Sequence, residues 1–86
     1  MRFEGAVVRE QGVSFAIVVV KPAVLEDKVL ITRTIMFLSP ASHGLPIVLL
    51  GDDGFGRPKY CGRRDIVDFL TQVPIQAIPW KTYELN

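Results

Sequence analysis

Three groups of side chains in this chain are of a type and spacing that can do chemistry. Lys21 closes one long apolar run and Asp52-Asp53 follows another. A lysine beside two carboxylates can hold a phosphorylated or metal-bound substrate. Cys61, the single cysteine, stands next to Tyr60 and just before Arg63-Arg64. Guanidinium groups and a helix N-terminus near a thiol favour the thiolate, which is the nucleophilic form. Gly51-x-x-Gly54-x-Gly56 has the glycine density of a phosphate-binding loop.

Each group has a plainer reading, and the residue types favour it. Asp and Gly in a short loop serve turn geometry, and two carboxylates with no third ligand in reach make a weak metal site. A lone cysteine on a short strand packs as a small apolar residue. The glycines neither open a helix after a strand nor lead into Gly-Lys-Ser/Thr, so neither nucleotide fingerprint is present. His43, the only histidine, lies in a Ser/Pro/Gly loop beside Ser42, without a third group to orient it. No catalytic residue, metal or cofactor is therefore assigned, and the reading leans away from an enzyme. Lys21, Asp52 and Asp53 stand as the ligand-binding candidates and Cys61 as the candidate reactive thiol.

The elements that must position these groups are legible as patterns. Val13–Val20 is apolar at seven of eight positions and stopped by Lys21-Pro22, which reads as a central strand covered on both faces. Phe3–Val8 precedes it and predicts a β-hairpin. A three-residue loop, Glu10-Gln11-Gly12, would place Phe3 and Val7 on the face of Phe15, Ile17 and Val19, whereas a two-residue loop would set Glu4 opposite Val19. Burying like with like selects the first. Ala23–Leu38 is divided between two periods. Leu25, Val29, Thr32 and Met36 form a helical stripe with Ile31, Ile35 and Leu38 beside it, yet residues 30–38 also alternate as a strand would; length favours a helix starting near Glu26 or Asp27.

Ser39–Pro46 is a breaker-rich loop and Ile47–Leu50 a second buried strand, completing a βαβ unit with parallel strands. A turn at Gly51–Arg57 leads into a short edge strand, Pro58–Cys61. An amphipathic helix carrying Ile66, Phe69, Leu70 and Val73 then runs to Pro74, and a last strand is expected around Trp80–Leu85. The expected architecture is a single α/β (α+β) domain over residues 1–86 in the order ββαββα(β). Two layers are expected, a mixed sheet of four or five strands and two helices packed on it.

Composition bounds the partners. Ten basic and nine acidic residues leave a net charge of +1, and Arg57, Lys59, Arg63 and Arg64 are interleaved with Asp52, Asp53, Asp65 and Asp68. That pattern argues for an ion-paired face rather than a nucleic-acid surface. The longest apolar run, Phe15–Val20, is too short to span a bilayer, and the N-terminal residues do not read as a signal peptide. With a single cysteine, a cytoplasmic location is expected. The chain is 49% hydrophobic, rich for its size, and a homodimer or a protein partner is the expected use of that surplus.

Leu45-Pro46-Ile-Val-Leu-Leu50, the Gly-rich turn, Tyr60-Cys61-Gly62 and Arg64–Leu70 together resemble the C-terminal half of thioredoxin-like proteins. In that family a proline precedes a strand, a hairpin follows and an amphipathic helix closes the fold. The family's Cys-x-x-Cys pair is absent, Lys21-Pro22 standing after Val20 instead, so no catalytic residue carries over and Pro46 is at most a similar structural proline. The function expected is a non-enzymatic protein-interaction or self-associating module. The alternative is a thiol-dependent or small-ligand-binding protein that uses the sheet edge.

Overall fold

A computed structural model describes residues 2–10 and 12–84. Five strands, β1 (Arg2–Glu10), β2 (Val13–Val19), β3 (Ile47–Asp52), β4 (Pro58–Cys61) and β5 (Lys81–Glu84), form one mixed sheet in the order β4-β3-β2-β1-β5. The apolar run that reads as a central strand is the middle strand, β2. It pairs parallel with β3 and antiparallel with β1, while β4 and β5 add antiparallel edges. Pro58 opens edge strand β4, where its missing N–H costs no ladder bond. The last strand falls within the expected segment, whose end at Leu85 lies outside the described residues.

Three helices connect the strands: α1 (Pro22–Leu25), α2 (Lys28–Leu38) and α3 (Arg64–Leu70). The ambiguous segment is helical, but broken at Glu26-Asp27. There Asp27 takes an extended conformation and its Oδ1 accepts the Val29 amide at 2.8 Å, which caps α2. The stripe α2 turns inward also differs from the expected one. Leu38 is buried and Ile31 and Ile35 pack beside it, whereas Val29 and Met36 point to solvent. Restarting the helix at Asp27 resets its rotation, so the Leu25–Val29–Met36 stripe is not continuous.

The class and the sheet are as expected; the layering differs. The sheet lies between its helices, α3 packing on one face with Phe15, Ile17, Val48 and Leu50, and α1 and α2 on the other with Val18, Ile47 and Leu49. This is why β2 and β3 are apolar at almost every position: most of their side chains, odd or even, face a helix.

The hairpin register corrects the expectation. Glu10 pairs with Val13, and Ala6, Val7 and Val8 pair with Ile17, Ala16 and Phe15. This is the two-residue loop, which continues to Glu4 opposite Val19; Gln11 itself lies outside the described residues, and Gly12 sits at φ 79°. Phe3 and Val7 therefore lie on the α2 face, opposite to Phe15 and Ile17. The expectation weighed β1 only against β2, but β1 also pairs with β5. There Phe3 is directly opposite Tyr83, and the two rings stack 5.5 Å apart over Gly5.

An apolar groove beside α2

Of the residues singled out for chemistry, Lys21, Asp52 and Asp53 fall at the C-terminal ends of β2 and β3. Asp52 and Asp53 give their oxygens to the turn that follows. Asp52 Oδ1 accepts the amides of Gly54 (2.6 Å) and Gly56 (3.1 Å). Asp53 Oδ1 accepts those of Phe55 (2.8 Å) and Arg57 (3.3 Å), and its Oδ2 pairs with Arg57 Nε at 3.0 Å. The Phe55 amide leads in holding the Asp53 carboxyl below its ordinary pKa, with Arg57 adding to it. Lys21 is exposed just before α1. Cys61 is half-buried opposite Leu49 and packs into the α2-side core, while Arg63 is occupied by both carboxylate oxygens of Asp65 at 2.7 Å. Among the described residues, no three His, Cys, Asp or Glu side chains come together in a way that could hold a metal.

The interleaved charges form the ion-paired face that their sequence pattern suggests. Arg57–Asp53, Arg63–Asp65 and a looser Arg64–Asp68 contact at 4.0 Å account for three of its four bases. The Arg63 guanidinium holds the Asp65 carboxyl down to about 2. Tyr60 packs in the α3-side core, where its hydroxyl finds no hydrogen-bond partner and burial pushes its pKa up.

A concavity lies elsewhere, toward the opposite end of β3. It is a groove of about 470 Å³ between the bare β1–β5 half of the α2 face and the chain leaving α2. Its floor is Phe3, Val7, Ala16 and Tyr83; its wall is Leu38, His43, Leu45 and Ile47. The wall is held by a tight reversal: Ser42 Oγ donates to the Ser39 carbonyl at 2.8 Å, and His43 and Gly44 both take positive φ, 54° and 84°. Val7, half-exposed at 51%, marks how open the floor is. Beside the groove the outer side of α2 carries a second apolar surface, Val29, Met36 and Phe37, the last two 69% and 61% exposed.

Sequence reasoning missed this groove because Phe3 and Val7 were placed on the other face. One signal was available. A helix about 10 Å across covers roughly two strands spaced about 4.8 Å apart. A five-stranded sheet with one helix per face must leave strands bare unless another segment covers them. On the α3 face Ile75, Ile78 and Trp80 do so, the Trp80 indole anchored to the Ile75 carbonyl at 3.0 Å. Among the described residues no such segment covers the β1–β5 half of the α2 face.

Charge is sorted between the same two faces. Strand alternation places Arg9, Lys59 and Lys81 on the α2 face, and α2 itself adds Lys28 and Arg33. The α3 face receives Glu4, Glu10, Asp52 and Glu84, with Arg2 paired to Glu84 at 3.1 Å. The acids on the α2 side, Glu26 and Asp27, sit at the N-terminal end of α2, about 15 Å of helix away from the groove.

Compared with known proteins, the chain matches no family model, no curated protein and no solved structure. Among the described residues no helix is long and apolar enough to cross a membrane.

Proposed function

We propose that this protein is a non-enzymatic interaction module whose α2 face receives apolar side chains from a protein partner. The observation carrying this reading is the apolar groove left open beside α2, with further apolar side chains exposed on the outer side of the same helix. Uncovered apolar surface on a small domain marks interaction sites. The groove's volume lies within the range of ligand sites, and its open floor of sheet flanked by a helix suits inserted side chains. A thiol activity has less support, since Cys61 packs into the core and Arg63 is taken by Asp65.

Selection of short random peptides displayed on phage against the immobilised protein tests this reading. Peptides are expected whose binding is lost with Val7→Gln or Phe37→Gln and kept with Asp68→Asn on the opposite side. All three positions are exposed, so the variants retain the fold, which a denaturation curve checks. Failure to select any peptide, or binding indifferent to both α2-face variants, overturns the reading.

A further inference from the structure

We infer that the partner segment is acidic as well as apolar: an amphipathic peptide stretch whose Asp and Glu side chains flank its apolar anchors. The inference rests on the interaction reading and adds the charge of the partner to it. A net charge of +1 conceals the asymmetry, because the sheet register sends the two signs to opposite sides. Arg9 lies on the groove's face one alternation beyond Val7 on β1, and Lys81 pairs with Gly5 between the floor residues Phe3 and Val7. Arg33 lies on α2 between Val29 and Phe37, in the middle of the exposed apolar stripe. None of these three bases has a carboxylate partner among the described residues. An apolar floor ringed by free cations is complementary to apolar anchors with acidic neighbours, and like charges brought to such a rim are penalised.

The same geometry disfavours a second copy as the occupant. A two-fold dimer through this face would bring the bases Arg33, Arg9 and Lys81 of one copy against the same basic patch of the other, since an isologous interface pairs a patch with itself.

The peptide selection, repeated with a charge-neutralised protein, tests the inference. Peptides selected on the unaltered protein are expected to be enriched in Asp and Glu between apolar residues. Their affinity should fall about tenfold as ionic strength rises from about 0.01 M to about 0.15 M, because the Debye length shrinks from about 30 Å to about 8 Å. The triple variant Arg9→Gln, Arg33→Gln, Lys81→Gln should keep the apolar preference while losing both the acidic enrichment and the salt dependence. Peptides without acidic enrichment, or an enrichment the triple variant leaves intact, overturn the inference and leave the interaction reading standing. Two further results overturn it in favour of other occupants: a light-scattering dimer dissociated by Phe37→Gln, or tighter binding to phosphatidylserine vesicles than to any selected peptide. If no peptide is selected at all, the interaction reading falls, and the inference with it.

Discussion

The two faces of the sheet are built from the same strands yet finished differently. On the α3 face, α3 and the Ile75–Trp80 segment together close over Ala6, Phe15, Ile17, Val48 and Leu50, leaving acids at its margins. On the α2 face, α1 and α2 close over Val18, Ile47 and Leu49 but stop short of β1 and β5, leaving Val7 exposed in a groove near basic residues. Close packing and exposed apolar surface thus fall on different faces. A face that is fully covered contributes burial and offers little to a partner; a half-covered face gives up burial and keeps surface available.

The largest effect should come from the closed face. Leu70, the fully buried last residue of α3, is expected to cost about 3 kcal/mol or more as Leu70→Ala, from lost transfer energy and the cavity left behind. Met36→Ala on the open side should stay within about 0.5 kcal/mol, because that side chain is already in water. Urea unfolding of both variants makes the comparison; similar losses would mean that α2's outer side is covered in solution.

Much of the closed face was legible before any coordinates, and the open face was not. Val13–Val20 and Ile47–Leu50 declare themselves because a strand buried on both faces needs apolar side chains at every position. Ile66, Phe69 and Leu70 are spaced for one side of a helix. The register of β1 is not written in β1 and β2 alone: it depends on Tyr83, seventy-six residues from Val7, meeting Phe3 across a third strand. The interruption at Asp27 is likewise a local capping event inside an otherwise helical run, and it rotates every later residue of α2. At the ligand-binding candidates Asp52 and Asp53, the turn role was legible as the plainer reading, since Asx side chains reaching amides two residues on are a local matter. The groove required knowing which strands no helix covers.

Glycine offers a sharper probe of the open half. A Cβ at Gly5 would lie 2.6 Å from the Ile17 carbonyl oxygen, a backbone atom that cannot move without shifting β2. Gly5→Ala is expected to cost about 2 kcal/mol and to raise amide exchange across the β1–β5 pair. At Gly51 the added Cβ would meet chiefly the Leu25 Cδ1 tip at 2.8 Å, which a rotamer change relieves, so Gly51→Ala should cost less. Equal losses would show that the α1 contact is as rigid as the strand backbone. A smaller change belongs to the closed face, where Tyr60 buries a hydroxyl without a partner. Tyr60→Phe should leave stability unchanged or raise it by up to about 1 kcal/mol, since it removes an unpaired polar group and little volume. A clear loss in thermal unfolding would reveal a bonded water at that oxygen.

The smallest effect belongs to the ion pairs. The Asp65 carboxyl, held by Arg63, titrates at about 2 rather than at its ordinary 3.8, and Asp53 is lowered as well. A carboxylate whose pKa is depressed by folding contributes stability that is fully present above its ordinary value. That contribution is lost as pH falls toward the folded value. Both aspartates are solvent-accessible ion-pair members, so salt screens the contribution and the acid limb should be shallow. Arg63→Gln should make it shallower still between pH about 4 and about 2, and carboxyl NMR should place the Asp65 midpoint near 2 in the unaltered protein. A midpoint near the ordinary value would mean that the pair does not persist in solution.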